Sequence, residues 1–167
     1  VGDITDPSVV STTITIRNSD DGRVIPIIEA KGGSNENGSC WASGAGIGSG
    51  GNTLNKTTIN LGGEITATGG VSLDSRNHSD ERLSGAGIGS GSNVSAETEI
   101  NIKGGTITKV TGGKYGGAGI GSGSSDTKDD SKKGAVTINI TDGTIEKAEG
   151  KNGGAGIGSG YYGRSST

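Results

Sequence analysis

Gly44-Ala45-Gly46-Ile47-Gly48-Ser49-Gly50 returns letter for letter at residues 85–91, 117–123 and 154–160. Four copies of one phrase in a chain of 167 residues make repetition its first property. Self-similarity at a spacing of some tens of residues is the mark of a solenoid, propeller or array. The copies start at residues 44, 85, 117 and 154, so the phrase is fixed while the chain between copies varies in length.

Two further segments recur in a constant order ahead of each phrase. The first alternates: Ile14-Thr15-Ile16, Ile59-Asn60-Leu61, Ile100-Asn101-Ile102 and Ile138-Asn139-Ile140. A period of two with β-branched residues predicts a strand with one buried face. Gly62-Gly63, Gly104-Gly105 and Asp142-Gly143 follow as turn or bulge signals. A second strand then centres on Ile65, Ile107 or Ile145. The first repeat departs from this, with residues 18–22 in place of the tight turn and Val24-Ile25-Pro26-Ile27-Ile28 in place of the second strand. Pro26 has no N–H to give to a ladder, which suits an outermost coil or a sheet edge.

Composition narrows the architecture. With 36 Gly, no Phe, no Met, one Trp and 27% apolar residues, a core of large side chains cannot be assembled. A solenoid needs only a few small branched residues per coil. The expected fold is therefore all-β: a parallel β-helix (solenoid) of about four coils with three short strands per coil. Its repeats fall at roughly 9–50, 54–91, 97–123 and 135–160 of a single domain spanning 1–167. Like residues should stack at the strand spacing of roughly 4.8 Å. Inward ladders would run through Ile14, Ile59, Ile100 and Ile138, through Ile16, Leu61, Ile102 and Ile140, and through Ile47, Ile88, Ile120 and Ile157. The chain opens at Val1 and closes in mid-pattern on Tyr161-Tyr162-Gly163-Arg164, which reads as a fragment of a longer polypeptide.

If the glycine phrase is an extended strand, alternation turns Ala45, Ile47 and Ser49 inward and Gly44, Gly46, Gly48 and Gly50 outward. One face of the solenoid would then be almost bare. Two uses stay open. The glycines can satisfy corner dihedrals and close backbone packing, in which case they carry positive φ and face no open plane. Alternatively a bare plane docks a protein surface, the flat face of a sugar or a second copy of the chain.

Other side chains invite chemistry. Trp41 precedes the first phrase where later repeats place Leu83, Tyr115 and Asn152, so Trp41 and Tyr115 are either corner packing or an aromatic platform for a sugar ring. Asp126, Asp129 and Asp130 offer hard oxygen ligands that suit Ca²⁺, although Lys128, Lys132 and Lys133 already balance their charge. His78, the one histidine, stands in the charged stretch 74–82 with no second imidazole or thiolate to share a metal, and Cys40 has no disulfide partner. Residues 46–51 match a dinucleotide fingerprint as a string, but the required helix does not follow. No cofactor other than Ca²⁺ is expected. A net charge of −3 with interspersed signs gives no nucleic-acid footprint, and no apolar run is long enough to enter a bilayer as a helix.

The phrase, paired with Ile-Asn-Ile-x-Gly-Gly-Thr-Ile-Thr at residues 100–108 and its relatives, resembles repeat modules of large adhesin-like cell-surface proteins of Gram-positive anaerobes. The resemblance covers nearly the whole chain after Val24. It implies a parallel β-helix displayed outside the cell, secreted or wall-attached, in a protein that touches host or plant polymers. No functional residue carries over from it. The expected function is accordingly an extracellular adhesive or structural repeat module, meeting a host or plant glycan or a protein surface through a flat face or corner loops. The alternatives are a carbohydrate-binding module and a polysaccharide lyase or hydrolase. Catalysis is not expected, because no pair of carboxylates recurs at outward positions where an acid and a base would face each other.

Overall fold

A computed structural model of the chain describes residues 11–20, 22–34, 42–72, 83–126, 133–163 and 165–166. The alternating segments form β1 (Thr12–Ile16), β4 (Thr57–Leu61) and the first parts of β9 (Thr98–Thr111) and β11 (Val136–Ile145). They pair in parallel in the order β1-β4-β9-β11, with Ile14, Ile59, Ile100 and Ile138 in one register and Thr15, Asn60, Asn101 and Asn139 in the next. The second segments form β2 (Ile27–Lys31) and β5 (Glu64–Thr68), which continue the stack through the far end of β9 to β12 (Ala148–Glu149). Between first and second strands the turn signals hold: Gly63, Gly105 and Gly143 take φ of 115°, 79° and 103°, values that glycine reaches without a Cβ penalty.

The phrases contribute β3 (Ile47–Gly48), β8 (Ile88–Gly89), β10 (Ile120–Gly121) and β13 (Ile157–Gly158), a second parallel sheet in the order β13-β10-β8-β3. Three strand positions per coil and parallel pairing from coil to coil make the fold an all-β parallel β-helix. Two elements depart from the simple repeat. β6 (Val71–Ser72) and β7 (Leu83–Ser84) pair antiparallel and bracket the longest insertion, and β14 (Ser165–Ser166) pairs with Val136 and Thr137 as the opening of a fifth coil.

The core is the set of predicted ladders. Ile59, Ile100, Ile88 and Ile120 are fully buried, and Leu61, Ile102, Ile65, Ile107, Ala67 and Val110 close round them. Burying each such branched side chain stabilises by ~1.5–3 kcal/mol, so a narrow core is sufficient when it repeats. The expectation that every ladder member points into a closed core fails at the ends. Ile140 is 46% and Ile157 39% exposed, because no further full coil covers the fourth. At the opposite end Val24, Ile25 and Ile27 are exposed on the divergent first coil. Outside the first face, Asn139 Nδ2 donates to Asn101 Oδ1 (2.9 Å), Asn101 Nδ2 to Asn60 Oδ1 (3.2 Å) and Asn60 Nδ2 to Thr15 Oγ1 (3.5 Å), an amide ladder beside the isoleucine ladder.

Candidate functional site

The glycine phrase is not an extended strand. In all four copies the Ala N–H donates to the carbonyl of the Ser four residues on: Ala45 to Ser49, Ala86 to Ser90, Ala118 to Ser122 and Ala155 to Ser159, at 2.9–3.1 Å. That closure bends the phrase into a tight corner with only an Ile-Gly pair left to join the sheet. The glycine after each Ile pays for the bend in dihedral angle: Gly48, Gly89, Gly121 and Gly158 take φ of 135–141°.

At most of these glycines the vacant Cβ direction therefore runs along the solenoid axis. A Cβ on Gly46 would lie 2.7 Å from the Gly87 carbonyl oxygen, and one on Gly48, Gly89 or Gly121 would overlap the carbonyl of Gly89, Gly121 or Gly158 in the coil above. One on Gly85, Gly117 or Gly154 would overlap the carbonyl of Gly44, Gly85 or Gly117 in the coil below. In the two middle coils residues 85–91 and 117–123 are buried throughout. A bare plane running across the coils is thus absent: Gly44 packs beside Gly33 of its own coil, and the backbone of the next coil fills the open side of Gly46 and Gly48. Their lack of side chains lets successive backbones approach.

The invariant Ser of the phrase has a matching use that alternation alone does not reveal. Ser49 Oγ accepts the N–H of Gly91 (3.2 Å), Ser90 Oγ that of Gly123 (3.1 Å) and Ser122 Oγ that of Gly160 (2.9 Å). Each hydroxyl satisfies the last amide of the next phrase, a buried donor that water does not reach. Its fixed place in every copy was the available signal.

Of the other expected site residues, Trp41, Asp129 and Asp130 lie outside the described residues, as do Cys40 and His78. Asp126 is exposed, and its own N–H donates to Asn93 Oδ1 (3.0 Å). Among the described residues no three His, Cys, Asp or Glu gather as a metal set. Leu83 is buried, as a corner packing residue should be. Tyr115 is half-buried, its N–H donates to Ser84 Oγ (2.7 Å), and the Lys114 ammonium sits over its ring, 5.4 Å from the centroid. That ring is not a bare sugar platform, since a cation already occupies one face.

The surface features that the sequence did not predict are grooves at the corners. One of about 420 Å³ follows the corner between first and second strands, lined by Thr15, Arg17, Asn60, Gly62 and Lys103. Its Arg17 guanidinium is held by Asp20 at 2.9 Å. A second, of about 310 Å³, follows the corner between the second strand and the phrase and gathers Lys31, Lys114 and Lys151 with Ser34, Thr68 and Val71. Beside it Glu149 receives Lys151 (2.6 Å) and Lys147 (3.4 Å). Hydrogen bonds from Lys151 and then Lys147 hold the Glu149 carboxyl below the ordinary carboxylate range. A third, of about 300 Å³, lies on the second face between Glu64 and Glu146.

The family model of a beta helix repeat matches residues 61–92, 100–124 and 138–161. No curated protein and no solved structure matches the chain. The three matched segments fall in the second to fourth repeats, and the divergent first coil, although it pairs in register with the second, lies outside them. The ladders make the chain a parallel β-helix, and its second to fourth repeats are similar to the beta helix repeat.

Proposed function

We propose that the chain is a rigid structural and adhesive module of a bacterial surface protein, displayed outside the cell and meeting a glycan or a protein through the grooves and loops at its corners. One observation carries the reading. Coil-to-coil packing buries the glycine phrase in the two middle coils, so the remaining corners are the surfaces that differ from coil to coil. β-Helix repeats occur in surface proteins, adhesins and polysaccharide-active proteins, and fold alone does not choose among them. Catalysis is not part of the proposal. Glu64 and Glu146 share a groove but stand on the second and fourth coils, two residues out of register with each other.

The test is retention. Beads carrying the chain, challenged with panels of polysaccharides and of extracellular-matrix proteins, are expected to be held by at least one class. Retention by none removes the adhesive half of the reading. A narrower second reading, a carbohydrate-binding module, is favoured by the lysine-lined groove, and retention by glycans with none by proteins would select it.

A further inference from the structure

We propose that the groove between the second strand and the phrase binds a linear polyanionic glycan, one bearing carboxylates or sulfates, laid along the solenoid axis. The proposal rests on the adhesive reading and names its ligand. The column at the end of the second strand runs Lys31, Thr68, Thr111, Glu149 in register from the first coil to the fourth. Lys114 follows Thr111 by three residues and Lys151 follows Glu149 by two, so cations from the first, third and fourth coils reach one groove. Three coil steps spread them over roughly 14 Å, the extent of a short run of sugar rings and not of a single small anion.

Charge and hydrogen bonding fit that occupant. Among the described residues neither Lys31 nor Lys114 has an ion-pair partner, and Glu149 is shared by two lysines. The groove therefore carries net positive charge on a chain whose net charge is −3, and confined charge of one sign focuses attraction for the opposite sign. Ser34 Oγ accepts the Val71 N–H (3.1 Å) and keeps its own proton to donate, beside the Thr68 hydroxyl and the apolar Val71. The neighbouring ring, Tyr115, already carries the Lys114 ammonium. Nucleic acid is disfavoured on that account, because single-strand binding relies on aromatic faces open to stack bases.

The experiment is affinity retention of the chain on immobilised polygalacturonate and on heparin, with dextran as the neutral polymer. The two charged arms separate carboxylate from sulfate. Binding to either is expected to weaken with salt, with a log–log slope of about −2 for three neutralised sites. The variant Lys31→Gln/Lys114→Gln/Lys151→Gln should lose at least about tenfold in affinity. Lys56→Gln, outside the grooves and paired with Glu97, should bind as the parent does. Circular dichroism and the melting midpoint confirm that each variant is folded. Equal retention on dextran, or equal or tighter binding of a single-stranded oligonucleotide, would overturn the ligand class. Polyanion binding that survives in the triple variant would overturn the groove while leaving the adhesive module intact.

Discussion

Replacing Gly121 by Ala tests the account of the glycine phrase most directly, with Gly50→Ala as the comparison within the same seven letters. At Gly121 φ is +141° and an added Cβ would overlap the carbonyl oxygen of Gly158, with the carbonyl carbon at 2.8 Å. A side chain at such a φ costs ~1–3 kcal/mol, and forcing atoms into a packed site costs a further ~1–3 kcal/mol. The two together give ~2–6 kcal/mol, and ~3 kcal/mol, below the centre of that range, is a conservative expectation. For a chain of this length each kcal/mol lowers the melting midpoint by ~2–4 °C, so Gly121→Ala should melt roughly 6–12 °C below the parent. Gly50 belongs to the first coil, and among the described residues no coil lies beneath it. Its Cβ would meet nothing nearer than Thr53 Oγ1 at 3.5 Å, and its φ is not left-handed. Gly50→Ala should therefore be neutral or stabilising by ~0.4–1 kcal/mol, since Ala restricts the unfolded chain. Melts followed by far-ultraviolet circular dichroism decide. Equal losses in the two variants, or none in either, would refute the claim that the phrase is glycine-rich for coil-to-coil approach.

Three further outcomes follow from the same geometry. Ser90→Ala leaves the buried Gly123 N–H without its acceptor and should cost ~1–3 kcal/mol, visible as faster hydrogen exchange at the Gly123 amide. Ile100→Ala empties a fully buried site and should cost ~2–5 kcal/mol. Ile157→Ala, on the open end and 39% exposed, should cost clearly less in the same melt. Glu149 is held below the ordinary carboxylate range by Lys151 and Lys147. Its pairing thus stabilises the fold above the unfolded-state value and is lost as pH falls through the lower folded-state value. The midpoint difference between parent and Glu149→Gln should favour the parent at neutral pH and vanish in acid, and a difference independent of pH would contradict the ion-pair assignment.

Much of the fold was legible in single residues. Ile59, Ile100 and Ile138 recur with the same neighbours, and a solenoid stacks like on like, so their ladder and its register could be written down from the letters. The turn glycines Gly63, Gly105 and Gly143 were legible for the same reason. Of the two uses the sequence left open for the phrase, corner dihedrals and close backbone packing hold, and the extended alternating strand does not. The bond from Ala45 N–H to the Ser49 carbonyl bends the phrase, and Gly46 and Gly48 then face the coil above. Tyr115 could be read as corner packing or as a platform, and its neighbour Lys114, which no pattern marked, sits over one face of its half-buried ring.

By itself the sequence determined the repeat, the three strand positions and the residues that stack, because those depend on local period and on recurrence. Only the tertiary structure decided which way a glycine's missing side chain points, which amide each serine hydroxyl answers, and that Lys31, Lys114 and Lys151 share one groove. Those properties arise between coils, from atoms tens of residues apart brought to within one strand spacing, and no local pattern in the chain encodes that distance.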